Sequence, residues 1–321
     1  MLFSIALCLT SAISLAQKSQ IVYTDFIQSG NAKLFLEVRG AAGKSPIILF
    51  LHGGPGNAFG LISFRAYVGP QLESKFLIAY LHQRGVLESP TVPDSSQTVS
   101  NHIVDVMSAL NYLKTKYPGR RLYILGHSWG GTLAMLSVIH DLQLVKGVID
   151  VAGPFNFVST LKYSYEMTLK WGKQNNISTT IEGLEKIGPP PYTVPSQQST
   201  LSDLSSSAYG GIDKHLSIAK LLSRPPYTKM NPAWQKTQVD IISAMNSELN
   251  KIDMEPALSK IRTPLLVIVG DSDAVVPAES LKTGYATFGG PKKFVILKNS
   301  HHLPFVDQPD EFVKEIEEFV K

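Results

Sequence analysis

Residues 121–131 read Arg121-Leu122-Tyr123-Ile124-Leu125-Gly126-His127-Ser128-Trp129-Gly130-Gly131, and Thr132-Leu133-Ala134-Met135-Leu136 follows. A short apolar run gives way to G-x-S-x-G and then to a helix-like apolar run. That order is the context in which a strained strand-to-helix turn lifts a serine hydroxyl above the edge of a sheet. The glycines matter because so tight a turn leaves no room for side chains on either side of the serine. The pattern is short enough to arise by chance, and an ordinary Gly-rich turn would look the same. Ser128 therefore needs partners elsewhere in the chain.

The surrounding pattern is one of strands alternating with helices. Residues 21–38 alternate like a hairpin around Gly30-Asn31. Apolar runs at residues 47–51, 76–81, 122–125, 145–151, 265–269 and 294–297 read as strands, and residues 99–117 and 310–320 carry apolar residues at helical spacing. This predicts an α/β protein with a mainly parallel central sheet covered by helices on both faces. Residues 154–256 break the rhythm with few strand-like runs, with Gly188-Pro189-Pro190-Pro191-Tyr192, a Ser-rich segment over 199–207 and Arg224-Pro225-Pro226. They read as an inserted helical cap between two parts of the core, residues 17–153 and 257–321.

Composition sets outer limits. The chain has 321 residues, 44% hydrophobic and 17% charged, enough for one large domain with an insertion. A net charge of +4, with no dense Lys/Arg cluster, gives no reason to expect nucleic acid as a partner. Residues 1–16 resemble a secretory signal: residues 2–16 are apolar or small, and Ser14-Leu15-Ala16 fits a small-x-small cleavage site. The run is too short for a membrane span. A secreted or periplasmic protein is expected, without a membrane span after cleavage. The single cysteine, Cys8, would leave with the signal, so neither disulfides nor a thiol-based metal site is expected. Asn176-Ile177-Ser178 is a glycosylation sequon, meaningful only in a host that glycosylates exported proteins.

Four elements fall where catalysis would need them. A serine hydroxyl is a poor nucleophile until a base takes its proton, and Ser128 would be that nucleophile. Asp273, in Gly270-Asp271-Ser272-Asp273, follows a predicted strand and would accept the Nδ1 proton of a histidine. Asp271 is the alternative acid, and both can also be read as loop-capping residues. His302, in Ser300-His301-His302-Leu303-Pro304-Phe305, follows the last predicted strand and would be general base and then general acid. His301 is its alternative, and His102, His140 and His215 lie in helical patterns that suit structural roles. His52-Gly53-Gly54-Pro55-Gly56 follows an early strand. Its Gly54 N–H and the N–H of Trp129 would form an oxyanion hole, each donor worth about 3–4 kcal/mol in the transition state. No phosphate-loop motif, metal site or cofactor site is read.

These motifs resemble the α/β-hydrolase superfamily and, within it, the proline iminopeptidase-like branch. His52-Gly53-Gly54-Pro55-Gly56 matches that branch's HGGPG. Gln83-Arg84-Gly85 matches most of its DQRG, and Gly126-His127-Ser128-Trp129-Gly130-Gly131 resembles its G-x-S-W-G elbow. The segments 270–277 and 302–312 match the superfamily's acid and histidine loops, which selects Asp273 and His302 over their neighbours. The resemblance runs from about residue 21 to the end and implies the α/β-hydrolase fold with a cap over the site. Two departures stand out: His82 replaces the branch's Asp, and Val86-Leu87-Glu88-Ser89 replaces its G-x-S continuation. In iminopeptidases, cap glutamates hold the substrate's free amine. Here Glu166, Glu182, Glu185 and Glu248 are available, but no motif singles one out, and Trp171 and Trp234 suit packing or the surface. The substrate-binding residues and the oligomeric state are left open.

The leading expectation is a secreted serine hydrolase acting on a small molecule or short peptide, an aminopeptidase of the iminopeptidase type. A carboxylesterase or lactonase for small apolar acyl groups would need only an apolar cap pocket. A binding protein that keeps the fold without turnover is the third reading.

Overall fold

A computed structural model describes residues 20–141, 143, 145–210 and 234–320, with the side chains of residues 20, 21, 210 and 234–238 excepted. The expected leader with Cys8, His215, the ring of Trp234 and the Arg224-Pro225-Pro226 break all lie outside the described side chains or residues.

Eight strands form one sheet: β1 (Gln20–Ser29), β2 (Ala32–Ala41), β3 (Ile47–Leu51), β4 (Leu77–Leu81), β5 (Leu122–His127), β6 (Gly147–Val151), β7 (Leu265–Gly270) and β8 (Lys292–Leu297). Their spatial order is β1-β2-β4-β3-β5-β6-β7-β8. The β1–β2 hairpin and the β2–β4 pair are antiparallel, and every other pair is parallel. The five strands from β3 to β7 are buried along their whole length. Continuous Ile/Leu/Val runs rather than alternating ones are what a sheet covered on both faces requires.

The helices of the first half are α1 (Phe59–Tyr67), α2 (Gly69–Glu73), α3 (Val99–Lys116) and α4 (Trp129–His140). Between β6 and β7 come α5 (Phe157–Gln174), α6 (Ser178–Ile187), α7 (Pro195–Ser207), α8 (Trp234–Leu249) and α9 (Glu255–Leu258). The chain closes with α10 (Ala278–Thr287), α11 (Pro304–Asp307) and α12 (Pro309–Phe319). Thr98 caps α3 by accepting from Asn101 N–H, and Asn156 caps α5 by accepting from Ser159 N–H. Phe64 of α1 stacks on Phe50 of β3 with centroids 4.0 Å apart and meets the edges of Tyr80, Phe305 and Phe312, which ties α1, α11 and α12 to the sheet.

One expectation is corrected. The Ser-rich residues 199–207 are not a break; they are the body of α7. Serine has modest helix propensity because its hydroxyl competes for backbone partners. Here Pro195 opens the helix, Leu201 and Ser205 bury one face at helical spacing, and the hydroxyls of Ser199, Thr200 and Ser207 bond carbonyls one turn back. Asn176 of the sequon is exposed in the α5–α6 connection with φ 55°.

A buried ion pair fixes the turn after β4. The Arg84 guanidinium donates to both Asp105 oxygens at 2.7 Å and to the carbonyls of Ser96 and Asn101, with Arg84 1% exposed. Removing one member of such a pair strands the other charge. Asp105→Ala is therefore expected to cost about 3–5 kcal/mol, read as a lower urea midpoint with an unchanged m-value.

Candidate active site

β5 runs straight into α4 through Ser128, which sits at φ 55°, ψ −122°, a strained conformation for a residue with a side chain. The neighbouring glycines permit it. A Cβ on Gly126 would lie 2.0 Å from the carbonyl oxygen of Gly130, and one on Gly130 would lie 2.1 Å from that of Leu51. Ser128 N–H donates to the Val151 carbonyl at 2.8 Å, which holds the turn to β6. Trp129 opens α4, so its N–H belongs to the first-turn donors that have no intrahelical acceptor.

The loop after β3 lies against this turn. A Cβ on Gly53 would approach both Ser128 Cβ and His127 Nδ1 to 3.1 Å. Gly54 has φ 124°, and a Cβ there would meet Gly56 N at 2.5 Å. Only glycine lets this loop fold so close to the elbow.

The candidate acid and base follow β7 and β8. Asp273 is 1% exposed; its Oδ1 accepts from Val275 N–H at 2.9 Å and Val276 N–H at 2.8 Å, which leaves Oδ2 to meet His302 Nδ1 at 2.9 Å. With Nδ1 turned to the carboxylate, Nε2 is the ring nitrogen free for the cavity that His302 shares with Ser128. Ser128 Oγ and His302 Nε2 are not hydrogen-bonded among the described residues, which is common before substrate tightens such a site.

The alternatives are engaged elsewhere. Asp271 Oδ1 binds Ser272 Oγ and Ser300 N–H, the loop-capping role. The His301 ring meets the Tyr209 carbonyl at 3.0 Å and Asp307 Oδ2 at 3.2 Å. His102 is buried edge-on against Trp129, and His140 ends α4 on the surface.

Ser128, His302, Gly54 and Trp129 line one cavity of about 360 Å³. Its far wall comes from α5, α7 and α8: Phe157, Leu161, Val239 and Ile242 are its apolar part, and Gln198, Ser199, Ser202 and Asp203 its polar part. None of the four sequence-selected glutamates lines it. Glu166, Glu182 and Glu185 are exposed elsewhere, and Glu248 accepts from Val99 N–H at the start of α3. Trp171 packs against Tyr209. Among the described residues of this helical region, the carboxylate that does line the cavity is Asp203. Its side chain is exposed and has no partner among the described residues, and partial desolvation raises its pKa from the ordinary value.

Two further residues were not found by sequence reasoning. His127 is buried, and its Nε2–H donates to the backbone carbonyl of His302 at 2.8 Å, pinning the histidine loop to the elbow. Burial holds it neutral, with its pKa well below normal. Gln83 lies behind the loop after β3, bonded to the His52 carbonyl. The position next to the serine and the Q-R-G match were the available signals, but neither says what a side chain touches. The two departures at residues 82 and 86–89 prove to be linked: His82 Nδ1 meets Glu88 Oε2 at 2.7 Å, and Ser89 Oγ–H donates to the His82 carbonyl.

Among the described residues there is no group of three or more His, Cys, Asp or Glu placed to hold a metal ion, and no helix is long and apolar enough to cross a membrane.

Comparison with known proteins agrees with the fold. The family model described as the alpha/beta hydrolase fold matches residues 46–309. A probable aminopeptidase of Bacillus subtilis (strain 168) is 26% identical over 312 residues, covering 92% of this chain and 95% of the relative. A proline iminopeptidase of Heyndrickxia coagulans is 24% identical over 287 residues, covering 87% and 91%. The crystal structure of a proline iminopeptidase-related protein from Thermus thermophilus superposes with a TM-score of 0.61 at 22% identity, covering 93% and 96% of the two chains. The chain belongs to the α/β-hydrolase fold family, in its proline iminopeptidase-like branch.

Proposed function

We propose that this hydrolase is a serine aminopeptidase of the iminopeptidase type, working through an acyl-enzyme. The observation that carries the reading is one cavity lined by Ser128, by His302, whose Nδ1 is held from behind by the buried Asp273, and by the unpartnered carboxylate of Asp203. Ser128 Oγ attacks the amide carbonyl as His302 Nε2 takes its proton. Asp273 keeps the Nδ1 proton in place and stabilises the imidazolium. The N–H groups of Gly54 and Trp129 receive the oxyanion. His302 then protonates the departing amine and next activates the water that releases the acyl group.

Asp203 gives this chemistry its preference. Asp203 is solvent-exposed but partly desolvated where it lines the cavity, has no cation beside it, and would pair with a substrate ammonium. A charge-assisted hydrogen bond of this kind is worth about 1.5–3 kcal/mol. The apolar wall of Phe157, Leu161, Val239 and Ile242 supports the second reading, an esterase for small apolar acyl groups. Export is proposed from the apolar residues 2–16 alone.

The test is a paired assay of aminoacyl arylamides, including prolyl p-nitroanilide, against short-chain p-nitrophenyl esters. Arylamide turnover that disappears on N-acetylation of the substrate is the expected result. Asp203→Asn should then lower arylamide kcat/KM by about 10–100-fold and leave ester kcat/KM within about twofold. Ester turnover without arylamide turnover would replace this reading with the second.

A further inference from the structure

The two segments that carry the oxyanion donors are joined from behind by a single side chain. Gln83, two residues past the end of β4, is 1% exposed. Its Nε2–H donates to the His52 carbonyl at 2.7 Å, and its Oε1 accepts the Trp129 indole N–H at 3.0 Å. The orientation of the amide is not a matter of choice. A carbonyl only accepts and an indole N–H only donates, so each end of the amide has one possible partner.

The backbone of the same residue sets a second constraint. Gln83 N–H donates to His52 Nε2 at 3.3 Å, which makes Nε2 the acceptor and puts the ring proton on Nδ1. Nδ1–H then donates to the Gly53 carbonyl at 2.9 Å. Gly53 C=O and Gly54 N–H belong to one planar trans peptide, so they point in opposite directions. Anchoring the carbonyl on the His52 ring turns the Gly54 N–H away from that ring. Burial keeps His52 neutral, with its pKa lowered to about 4, so this tautomer persists through neutral pH. On the other side, the indole of Trp129 is 1% exposed and held between Gln83 and the edge-on ring of His102.

We propose that Gln83 is a positioning residue for catalysis: by bridging His52 and Trp129 it fixes the separation and aim of the Gly54 and Trp129 N–H groups. It touches no substrate. Its contribution is preorganisation, which is what makes oxyanion donors effective, since donors already in place need not reorganise as charge develops. The inference rests on the acyl-enzyme reading above and deepens it.

The test uses the full chain with p-nitrophenyl butyrate and prolyl p-nitroanilide, together with phenylboronic acid as a tetrahedral probe of the oxyanion hole. Gln83→Leu keeps the volume and removes both side-chain bonds. It should lower kcat by about 10–100-fold, since displacement of catalytic groups by about 1 Å costs on that order, with KM within about twofold. The Ki for phenylboronic acid should weaken by a factor similar to the loss in kcat. The Trp129 indole N–H resonance should shift, a readout that needs no turnover.

Gln83→Glu supplies the second arm. A protonated carboxyl can still donate to the His52 carbonyl and accept from the indole; an ionised one cannot donate and sets a charge against that carbonyl. The ratio of variant to wild-type kcat should therefore be highest at the acid end and fall as pH rises. The titratable groups nearby, His52, His82, His102 and the Arg84–Asp105 pair, are present in both proteins. Gln83→Leu with kcat and boronate affinity within twofold of wild type, a loss confined to KM, or a pH-independent Gln83→Glu ratio would each overturn the bridge. Failure of the acyl-enzyme reading looks different: Ser128→Ala would then retain activity whatever Gln83 does.

Discussion

Ser128→Ala is expected to lower kcat by about 10⁶-fold while leaving the fold intact. The substitution removes only Oγ, and the hydrogen bonds that hold the elbow are made by backbone groups, Ser128 N–H to Val151 and Gly131 N–H to the Ser128 carbonyl. His302→Ala should cost a similar factor, and the double variant should be little worse than either single one, because nucleophile and base act as a unit. His301→Ala is the internal control. Its ring is committed to Tyr209 and Asp307, so kcat should stay within a few-fold of wild type. A stopped-flow burst with a p-nitrophenyl ester checks all of these at once, since the burst reports the acyl-enzyme itself. Ser128→Ala with unchanged turnover, or His301→Ala as the damaging variant, would require a different nucleophile or base.

The elbow was legible because its glycines are demanded by the backbone. At Gly126 and Gly130 a methyl group would collide with fixed carbonyls, so the letters themselves record the geometry. The strands were legible for a similar reason: burial on both faces leaves little choice but Ile, Leu and Val at 47–51 or 265–269. What could not be read depends on which distant residues meet. Glutamates drew attention because they are carboxylates in the right segment, yet the direction of each helix face decides which acid faces the cavity, and that acid is Asp203. The Ser-rich residues 199–207 misled because serine is ambivalent in isolation; burial of Leu201 and Ser205 settles it as helix. Gln83 and His127 act through partners 31 to 175 residues away along the chain, a relation no local pattern carries.

Mild acid should unfold this protein more readily than its carboxylates would suggest. His52, His102 and His127 are fully buried, and desolvation of the charged ring is the main cause of their depressed pKa values, about 4 for His52, about 3 for His102 and well below normal for His127. In the unfolded chain each takes up a proton near pH 6.5. Between that pH and about 4 the unfolded state therefore binds more protons than the folded one, so stability is fully present above pH 6.5 and is lost as the pH falls. Each such group contributes about 1.4 kcal/mol per pH unit. Asp150 works the other way: burial raises its pKa well above normal, so as the pH rises past about 4 the folded carboxyl keeps its proton after the unfolded one has released it. His52 and His102 together give a slope of about 3 kcal/mol per pH unit over this window, to which His127 adds and from which Asp150 subtracts. Against a total stability of about 5–15 kcal/mol, a few pH units suffice to unfold the chain. Urea unfolding at half-unit steps from pH 7.5 to 4.5 measures that slope directly. His102→Gln, which removes one titrating ring outside the proposed catalytic groups, should reduce it by about 1.4 kcal/mol per pH unit. A stability that is flat from pH 7 to 5 would show that these rings take up protons in the folded state. The same experiment separates two causes of acid inactivation: a local change at the site reverses at once on neutralisation and leaves the near-UV circular dichroism unchanged, whereas loss of the buried histidines' environment abolishes that signal together with activity.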